Sequence, residues 1–277
     1  ICSGLVGSEM CIRDSIDLAT FEEIEKYIYG TEDATNYFVM EHQPSTWFTT
    51  VPVVLSRASG QPDFGQDWSV SISRAGDYLL HTWLRLVLPA VEANDDYLVA
   101  WTPNVAHALI KEVSITFNDL SAARFDNYTL DFLAAFSTPA AKKEGYNQMI
   151  GMVPSLVTPS SSLPAKVLNL PLPLFFSKDS GVSLPTASLP YNDMRLVFSF
   201  RSLGELLTTY TEGDDGLWTA RPTVPSDLKS TPQLNTIQVW GNYALVSNEH
   251  RRLMGSRARD IVIEQLSLIH ISEPTRP

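Results

Sequence analysis

An alternation of apolar and polar residues near the middle of the chain constrains its fold more than any other feature. Its apolar members, at every second position, are Met194, Leu196, Phe198 and Phe200. Arginine and serine side chains occupy most of the positions between them. A repeat of two residues is the period of a β-strand that has one buried face and one exposed face. The segment is therefore predicted to be a strand that lines a hydrophobic core.

The stretch around this strand, residues 163–203, contains a second apolar run and is interrupted by prolines. The prolines lie at positions 164, 171, 173, 185 and 190. Because proline lacks the N–H group that a sheet ladder needs, it belongs at strand starts, edges and bulges. A polar, glycine-containing turn at 177–181 separates the two runs. Short, interrupted strands are typical of a β-sandwich, so the predicted fold class is all-β, a jelly-roll β-sandwich with helical insertions.

The same alternation predicts further strands on either side of this stretch. They cover, in order, residues 68–72, 78–88, 113–117, 237–245 and 260–266. The first two are separated by a short turn and are predicted to form a β-hairpin. Asn118 and Asp119 supply turn chemistry after the third strand. Gly241 is expected to form a bulge in the fourth strand.

Apolar residues at helical spacing predict three helical segments. They are residues 18–30, 128–151 and 248–254. Thr20 and Glu23 fit a capping box in the first helix, which either packs on its own sandwich or forms an arm that contacts a neighbour. Asn127, which also begins a glycosylation sequon, is predicted to cap the second segment, and Asn248 the third. Residues 31–63, 154–164 and 208–232 are predicted to be irregular or loops.

The chain is acidic, with a net charge of −11 and a sequence pI near 4.9. Direct nucleic-acid binding is not expected, because the neutralisation of phosphates needs clustered lysine and arginine. No apolar run reaches the roughly 18 residues that a membrane-spanning helix requires. The length of 277 residues allows one large all-β domain or two small ones.

The two ends of the chain differ from the rest. Residues 1–15 and 267–277 resemble translated sequencing-adapter sequence, and we exclude them from the interpretation of the fold. Both cysteines, Cys2 and Cys11, lie in the first of these segments. The remaining residues therefore have no cysteine to form a disulfide, which agrees with assembly in a reducing cytosol.

Motifs that mark common active sites are missing from the sequence, which has no Gly-Lys pair, no GxGxxG, no GxSxG, no CxxC and no HExxH. The scattered histidines, which lack the spacing of metal ligands on a helix, include His42, His81, His107 and His250. The acidic pairs Asp95-Asp96 and Asp214-Asp215 are interpreted as solvated turns rather than as a Ca²⁺ or glycosidase site. We predict no catalytic, cofactor-binding or metal-binding residues, no cofactor and no enzymatic activity.

Two groups of residues leave alternatives open. The single basic cluster consists of Arg251, Arg252, Arg257 and Arg259. It is either a solvated helix face or a contact surface for acidic partners or lipid head groups. The tryptophans in predicted loops are Trp47, Trp101 and Trp218. If they form a row of exposed aromatic rings, the chain is instead a single jelly-roll carbohydrate-binding module or lectin.

Five segments of the chain, in order, carry a family resemblance. They are residues 16–30, 64–85, 110–132, 168–201 and 242–266. Together they resemble the first jelly roll of the major capsid proteins of nucleocytoplasmic large DNA viruses, and those of iridoviruses look closest. The resemblance covers nearly all of residues 16–266, which makes it far more specific than a short motif.

This resemblance implies a structural virion protein whose fold is a double jelly roll, of which the chain holds the first half. Three copies would form a capsomer of pseudo-hexagonal outline in an icosahedral shell, and the insertions at 90–105 and 208–232 would face outward. The implied partners are further copies in a homotrimer, neighbouring capsomers and minor capsid proteins, with an internal viral membrane nearby. The implied location is the virion capsid, after assembly in the host cytoplasm.

The predicted domain organisation follows from the resemblance and from the foreign ends. Residues 16–60 form an N-terminal helix and arm, 61–247 the first jelly-roll domain, and 248–266 a linker that leads to a second jelly roll. Residues 1–15 and 267–277 are expected to be adapter-derived.

Overall fold

A two-sheet sandwich of β-strands forms the framework of the chain, in a computed structural model that describes residues 46–212, 217–234, 236–256 and 260–265. The strands are, in chain order, β1 Phe48–Val54, β2 Ser56–Ser59, β3 Asp67–Ser71, β4 Tyr78–Leu88, β5 Val91–Glu92, β6 Tyr97–Trp101, β7 Ile110–Phe117, β8 Leu120–Phe125, β9 Ser162–Leu163, β10 Lys166–Pro171, β11 Met194–Phe200, β12 Leu207–Glu212, β13 Trp218–Pro222 and β14 Ile237–Val246. The α-helices of these ranges are α1 Val105–Leu109, α2 Asn127–Ser137, α3 Ala140–Ile150, α4 Pro154–Val157, α5 Leu203–Leu206 and α6 Asn248–Ser256. All of them belong to one compact unit, Thr46–Pro277.

The order of the strands in the two main sheets defines the topology. One sheet has the order β1-β14-β4-β10 and the other β2-β3-β11-β7-β8. Without the edge strand β2, the two sheets contain eight strands, which are β1, β3, β4, β7, β8, β10, β11 and β14. Numbered one to eight along the chain, the strands have the orders 1-8-3-6 and 2-7-4-5. This is the double Greek-key arrangement of a jelly roll, as the sequence predicts.

The core lies between the inner faces of these two sheets. The alternation in β11 is confirmed, because Met194, Leu196, Phe198 and Phe200 are all buried while the residues between them are partly exposed. Leu84, Leu86 and Leu88 of β4 are buried in the same core cluster. The rings of Trp68 and Phe198 lie 5.4 Å apart. Trp68, Val70 and Ile72 are buried as expected for the first predicted strand.

The predicted hairpin between residues 68–72 and 78–88 is wrong, because the two strands lie in different sheets. β3 pairs with β2 and β11, whereas β4 pairs with β10 and β14. The connection is anchored to both sheets, since Ile72 N–H donates to the Met194 carbonyl and Asp77 N–H to the Ala244 carbonyl. Alternation shows which face of a strand is buried and not which strand is its neighbour. Two strands joined by a short turn can therefore face each other across a core.

Three regions predicted to be irregular or loops contain regular structure. The described part of 31–63 includes β1 and β2, residues 208–232 include the hairpin of β12 and β13, and residues 154–164 include α4 and the short β9. Most side chains of β1 and β13 are exposed. Neither strand has the buried apolar face that makes a strand detectable in a sequence, which explains why both were missed.

The helical excursion predicted over residues 128–151 is present as α2 and α3. Its cap is Asp126 and not Asn127, because Asp126 Oδ1 accepts hydrogen bonds from the Thr129 N–H at 2.9 Å and from the Thr129 hydroxyl at 2.7 Å. Asn127 Oδ1 instead accepts a hydrogen bond from Arg201 Nη2 at 2.9 Å. The prediction of the helices is thus confirmed, and that of the cap is wrong by one residue.

The C-terminal part of the described chain agrees with the sequence only in part. Helix α6 is present, and Ser247 Oγ, just before it, accepts a hydrogen bond from the His250 N–H. The irregularity in β14 lies between Asn242 and Tyr243, next to Gly241. Residues 260–265 contain no strand, so the strand predicted to begin there is wrong. Among the described residues, no helix is long and apolar enough to cross a membrane. The predicted helix over 18–30 lies outside the described ranges.

Candidate functional site

The two insertions that the sequence analysis placed at one end of the sandwich come together in a small third sheet. β6, from the first insertion, pairs with β12, and β12 pairs with β13 of the second insertion. The pair of β5 and β9 forms a two-stranded sheet, and a single bridge joins Val99 to Ser160. Loops of different parts of the chain therefore build one ordered surface at the end where β4 ends and β14 begins.

A buried carboxylate, Asp227, holds this surface together. Its Oδ1 accepts a hydrogen bond from Arg221 Nη2 at 2.7 Å, and its Oδ2 accepts bonds from the Thr209 hydroxyl at 3.2 Å and the Val224 N–H at 3.0 Å. Its carbonyl accepts a hydrogen bond from the Asn94 N–H at 2.9 Å, which links the two insertions. Burial raises the pKa of Asp227, but these donors outweigh it, so the pKa lies below its ordinary value.

The acidic pair Asp95-Asp96 lies on the same surface. With Tyr97, Glu212 and Trp218 it lines an open depression of about 490 Å³. Asp95 faces Lys229, whose Nζ is 3.8 Å from its carboxylate. The second predicted pair, Asp214-Asp215, lies outside the described residues. In the described part of the chain no three histidine, cysteine or acidic residues are grouped so that they could hold a metal ion.

The three tryptophans of the lectin alternative do not form one row. Trp101 is buried and its ring stacks on that of Phe64 at 6.2 Å. Trp47 is exposed beside β1, and Trp218 is half-exposed on the small third sheet. Because a carbohydrate-binding face of this kind needs several exposed rings together, the structure offers the lectin alternative no support from this set.

The basic cluster is divided by the fold. Arg251 forms two hydrogen bonds to the buried Asp77, Nε to Oδ1 at 2.6 Å and Nη2 to Oδ2 at 3.1 Å. The Asp77 carboxylate also accepts a hydrogen bond from the Val246 N–H at 2.9 Å. Burial raises the pKa of Asp77, but these donors more than compensate, and the pKa lies below its ordinary value. Arg251 thus anchors α6 to the sandwich, Arg252 is exposed, and the other two arginines lie outside the described residues.

A hydrogen-bonded cluster that the sequence analysis missed joins three helices. His107 of α1 is fully buried, and its Nδ1–H donates to Asp131 Oδ1 of α2 at 2.7 Å. The Tyr146 hydroxyl of α3 donates to His107 Nε2 at 3.0 Å. Asn104 Nδ2 also donates to Asp131 Oδ1, at 3.1 Å. The partners are 24 and 39 residues away from His107 in sequence, so no local spacing could have revealed them.

Burial controls the protonation of this cluster. The pKa of His107 lies below its ordinary value of 6.5, because burial disfavours the charged ring more than Asp131 favours it. Burial, aided by the negative charge of Asp131, raises the pKa of Tyr146 to about 12. A neutral imidazole with one donor and one acceptor is therefore the form that fits this site. The cluster fastens the helices to one another.

We predict that this cluster makes the fold less stable below neutral pH. As pH falls through 6.5, the unfolded chain takes up a proton on His107 before the folded chain does, so the free energy of unfolding decreases until the lower folded pKa is passed. The melting temperature measured from pH 8 to pH 5 is expected to fall below pH 6.5. The fall should be smaller in His107→Gln and unchanged in His81→Gln, whose side chain is exposed. Equal pH profiles for all three proteins would contradict this account.

The fold and these clusters define a jelly-roll protein, in which the described polar groups anchor loops and helices. Residues 36–246 match the family described as "Major capsid protein N-terminus". The chain is 54% identical over 265 residues to the major capsid protein of Tipula iridescent virus, covering 91% of the chain and 57% of that protein. It is 55% identical to that of Wiseana iridescent virus, covering 91% of the chain and 54% of that protein.

Solved structures share the fold. A chain of PBCV-1 VP54, fitted into a reconstruction of the virophage Sputnik, matches with a TM-score of 0.64 at 19% identity, over 83% of this chain and 50% of that one. The Faustovirus major capsid protein matches with a TM-score of 0.62 at 13% identity, over 88% of this chain and 62% of that one. The chain belongs to the major capsid protein family of the iridoviruses and their relatives, which is structural rather than enzymatic. It spans just over half the length of the iridovirus relatives.

Proposed function

We propose that this chain is the N-terminal half of a subunit that forms the shell of a virion. The observation that carries the proposal is the family match over residues 36–246, which include all eight strands of the jelly roll. Three copies of the whole protein assemble into a capsomer of pseudo-hexagonal outline, and capsomers tile an icosahedral shell. The partners are copies of the same protein, neighbouring capsomers and minor capsid proteins, and assembly takes place in the host cytoplasm.

The mechanism of such a protein is the burial of surface between subunits. A cyclic arrangement of similar sandwiches brings different sides of neighbouring subunits into heterologous contact, and stable contacts of this kind bury about 800 Å² on each partner. The small third sheet at one end stays free of these side contacts and forms the outer surface. The net charge of −11 disfavours direct contact with nucleic acid. An internal viral membrane lies close to the opposite end.

The domain division that accompanies this proposal keeps most of the sequence-based boundaries. The first jelly roll extends to residue 247, and residues 248–266 lead to a second jelly roll. The start of the first jelly roll is better placed at 48 than at 61, because β1 pairs with β14 along its whole length. Residues 16–47 then precede the first jelly roll, and residues 1–15 and 267–277 stay foreign to the protein.

The oligomeric mass of the protein encoded by the complete reading frame tests this proposal. The frame is first sequenced through both ends at its source, and the protein is then purified and examined by sedimentation velocity over a range of concentrations. We expect a species of three times the chain mass, because three double jelly rolls close a ring of six sandwiches. A protein that stays a monomer at all concentrations would overturn the proposal.

A further inference from the structure

Helix α2 presents a row of aromatic side chains to solvent. Tyr128, Phe132 and Phe136 are 69%, 65% and 82% exposed. Their spacing of four residues places them on one face of the helix, and the rings of Phe132 and Phe136 are stacked 5.9 Å apart at 6°. Soluble proteins rarely expose contiguous apolar surface without a partner. We call these three residues the α2 aromatic face.

The opposite side of α2 is fixed to the sandwich, so the aromatic face cannot turn inward. Leu130 is buried in the core cluster. Asp131, the one charged residue of the helix, is bound to the buried His107. At the N-terminal end, Asn127 accepts a hydrogen bond from Arg201. The face is therefore uncharged and held in a defined orientation, as a preformed docking surface requires.

An apolar cleft adjoins the same helix. It has a volume of about 570 Å³ and lies between α2, α3 and the outer face of the four-stranded sheet, where Leu133, Met149 and Trp83 are among the lining residues. Beyond the cleft the ring of Trp83 stacks on that of Trp240 at 6.1 Å. None of the three aromatic residues lines this cleft, which lies on the side of α2 that faces the sandwich, so the α2 aromatic face is a separate, outward surface.

The last described residues lie on the strand that leads to α2. Ile261 packs against the core, and Gln265 Nε2 donates to the Ala122 carbonyl of β8 at 2.6 Å. Only Asp126 separates β8 from α2. The relatives are longer than this chain, which covers 57% and 54% of two of them and matches the family's N-terminal part. A C-terminal half that follows residue 265 would thus start from the side of the molecule that carries α2.

We propose that the α2 aromatic face is the docking surface for the C-terminal half of the same full-length chain. This inference rests on the proposed function, in that it assumes the second half. Full burial of an aromatic side chain covers about 150–250 Å². Because the three side chains are already partly covered, docking on them would supply roughly half of the about 800 Å² that a stable interface takes from one partner. The covalent connection gives the second half a high effective concentration at this face, whereas a separate copy has to be recruited from solution.

Site-specific photo-crosslinking of the full-length protein tests this assignment. A photoreactive phenylalanine analogue replaces Phe136, and the protein is assembled from equal amounts of ¹⁴N-labelled and ¹⁵N-labelled chains. We expect cross-links from position 136 to the C-terminal half of a chain with the same isotope. A matched control carries the analogue at Trp47, which is 92% exposed beside β1, at the opposite edge of the four-stranded sheet from β10, and should give none of these cross-links.

Several outcomes would overturn the inference. Cross-links that join chains of different isotope would assign the face to a neighbouring copy. Cross-links confined to residues 46–265, or no more cross-links than from Trp47, would mean that the second half does not dock there. Because same-chain cross-links form in a monomer and in a trimer alike, this result is independent of the oligomeric mass that tests the proposed function.

The double variant Phe132→Ser with Phe136→Ser provides a second measurement. Burial of one phenylalanine side chain between the two halves favours the docked over the undocked state by about ten- to hundredfold. Proteolysis of the full-length protein between its halves is therefore expected to be at least about tenfold faster in the variant. The unfolding midpoint of the 277-residue chain should not fall, because both rings are exposed there. Equal proteolysis rates in the full-length proteins would contradict the proposal.

Discussion

Replacing Phe198 by alanine is expected to lower the free energy of unfolding by about 3–5 kcal/mol. Phe198 is fully buried on β11, the strand that pairs with both β3 and β7. Its ring lies 5.4 Å from Trp68 and 6.0 Å from Phe200. Alanine removes the ring and leaves a cavity, because neighbours held in two sheets relax only in part. Urea denaturation followed by circular dichroism measures the loss.

The control for this prediction is the same substitution on the surface. Phe132→Ala removes a ring that is mostly exposed and should change the free energy of unfolding of the 277-residue chain by no more than about 0.5 kcal/mol. The two variants differ in burial and not in chemistry. If Phe198→Ala cost as little as Phe132→Ala, the assignment of β11 to the centre of the core would be wrong.

Replacing Asp227 by alanine is expected to destabilise the small third sheet by about 1–3 kcal/mol, because the buried carboxylate accepts hydrogen bonds from Thr209, Val224 and the partly exposed Arg221. The Asp227 side chain is 5% exposed, and its loss leaves the Val224 N–H without its acceptor, while the Thr209 hydroxyl keeps Thr223 Oγ1 at 2.8 Å. An unsatisfied buried donor carries a desolvation cost. Hydrogen exchange of β12 and β13 measures this local loss most directly.

The stability that Asp227 contributes should also depend on pH. Its folded pKa lies below the ordinary value of 3.8, so the contribution is complete above that value and is lost as pH falls through the folded pKa. Asp95→Ala on the same surface is the matched control. Its side chain is 97% exposed, and its removal should change stability by no more than about 0.5 kcal/mol. Equal effects of the two substitutions would contradict the role assigned to Asp227.

Sequence reasoning was most successful where the relevant interaction is local in the chain. The alternation in β11 identified both the strand and its buried face, because side-chain direction depends on neighbouring residues alone. The period of α2 and α3 was visible for the same reason. The spacing did not show which face of α2 is buried, since Phe132 and Phe136 have helical spacing and yet point to solvent. Spacing identifies a helix, and only the tertiary structure shows what covers it.

The features that were missed or wrong depend on contacts between distant residues. The hairpin of β3 and β4 failed because the partner of each strand is chosen across the whole chain. β1 is an exposed edge strand, which has no buried face to produce a pattern. The His107 cluster needs three helices to be brought together. Asp126 and Asn127 are both good caps, and the choice between them depends on the entry of the chain from β8.

Electron cryo-microscopy of particles formed by the full-length protein tests the central claim most directly. The account predicts three copies around a threefold axis, with six sandwiches in a pseudo-hexagonal outline. The residues from β1 to β14 should form one sandwich of each pair, with the strand orders found here and the small third sheet at the outer end. A map with one sandwich per chain and no threefold arrangement would contradict the claim that this chain is half of a shell subunit.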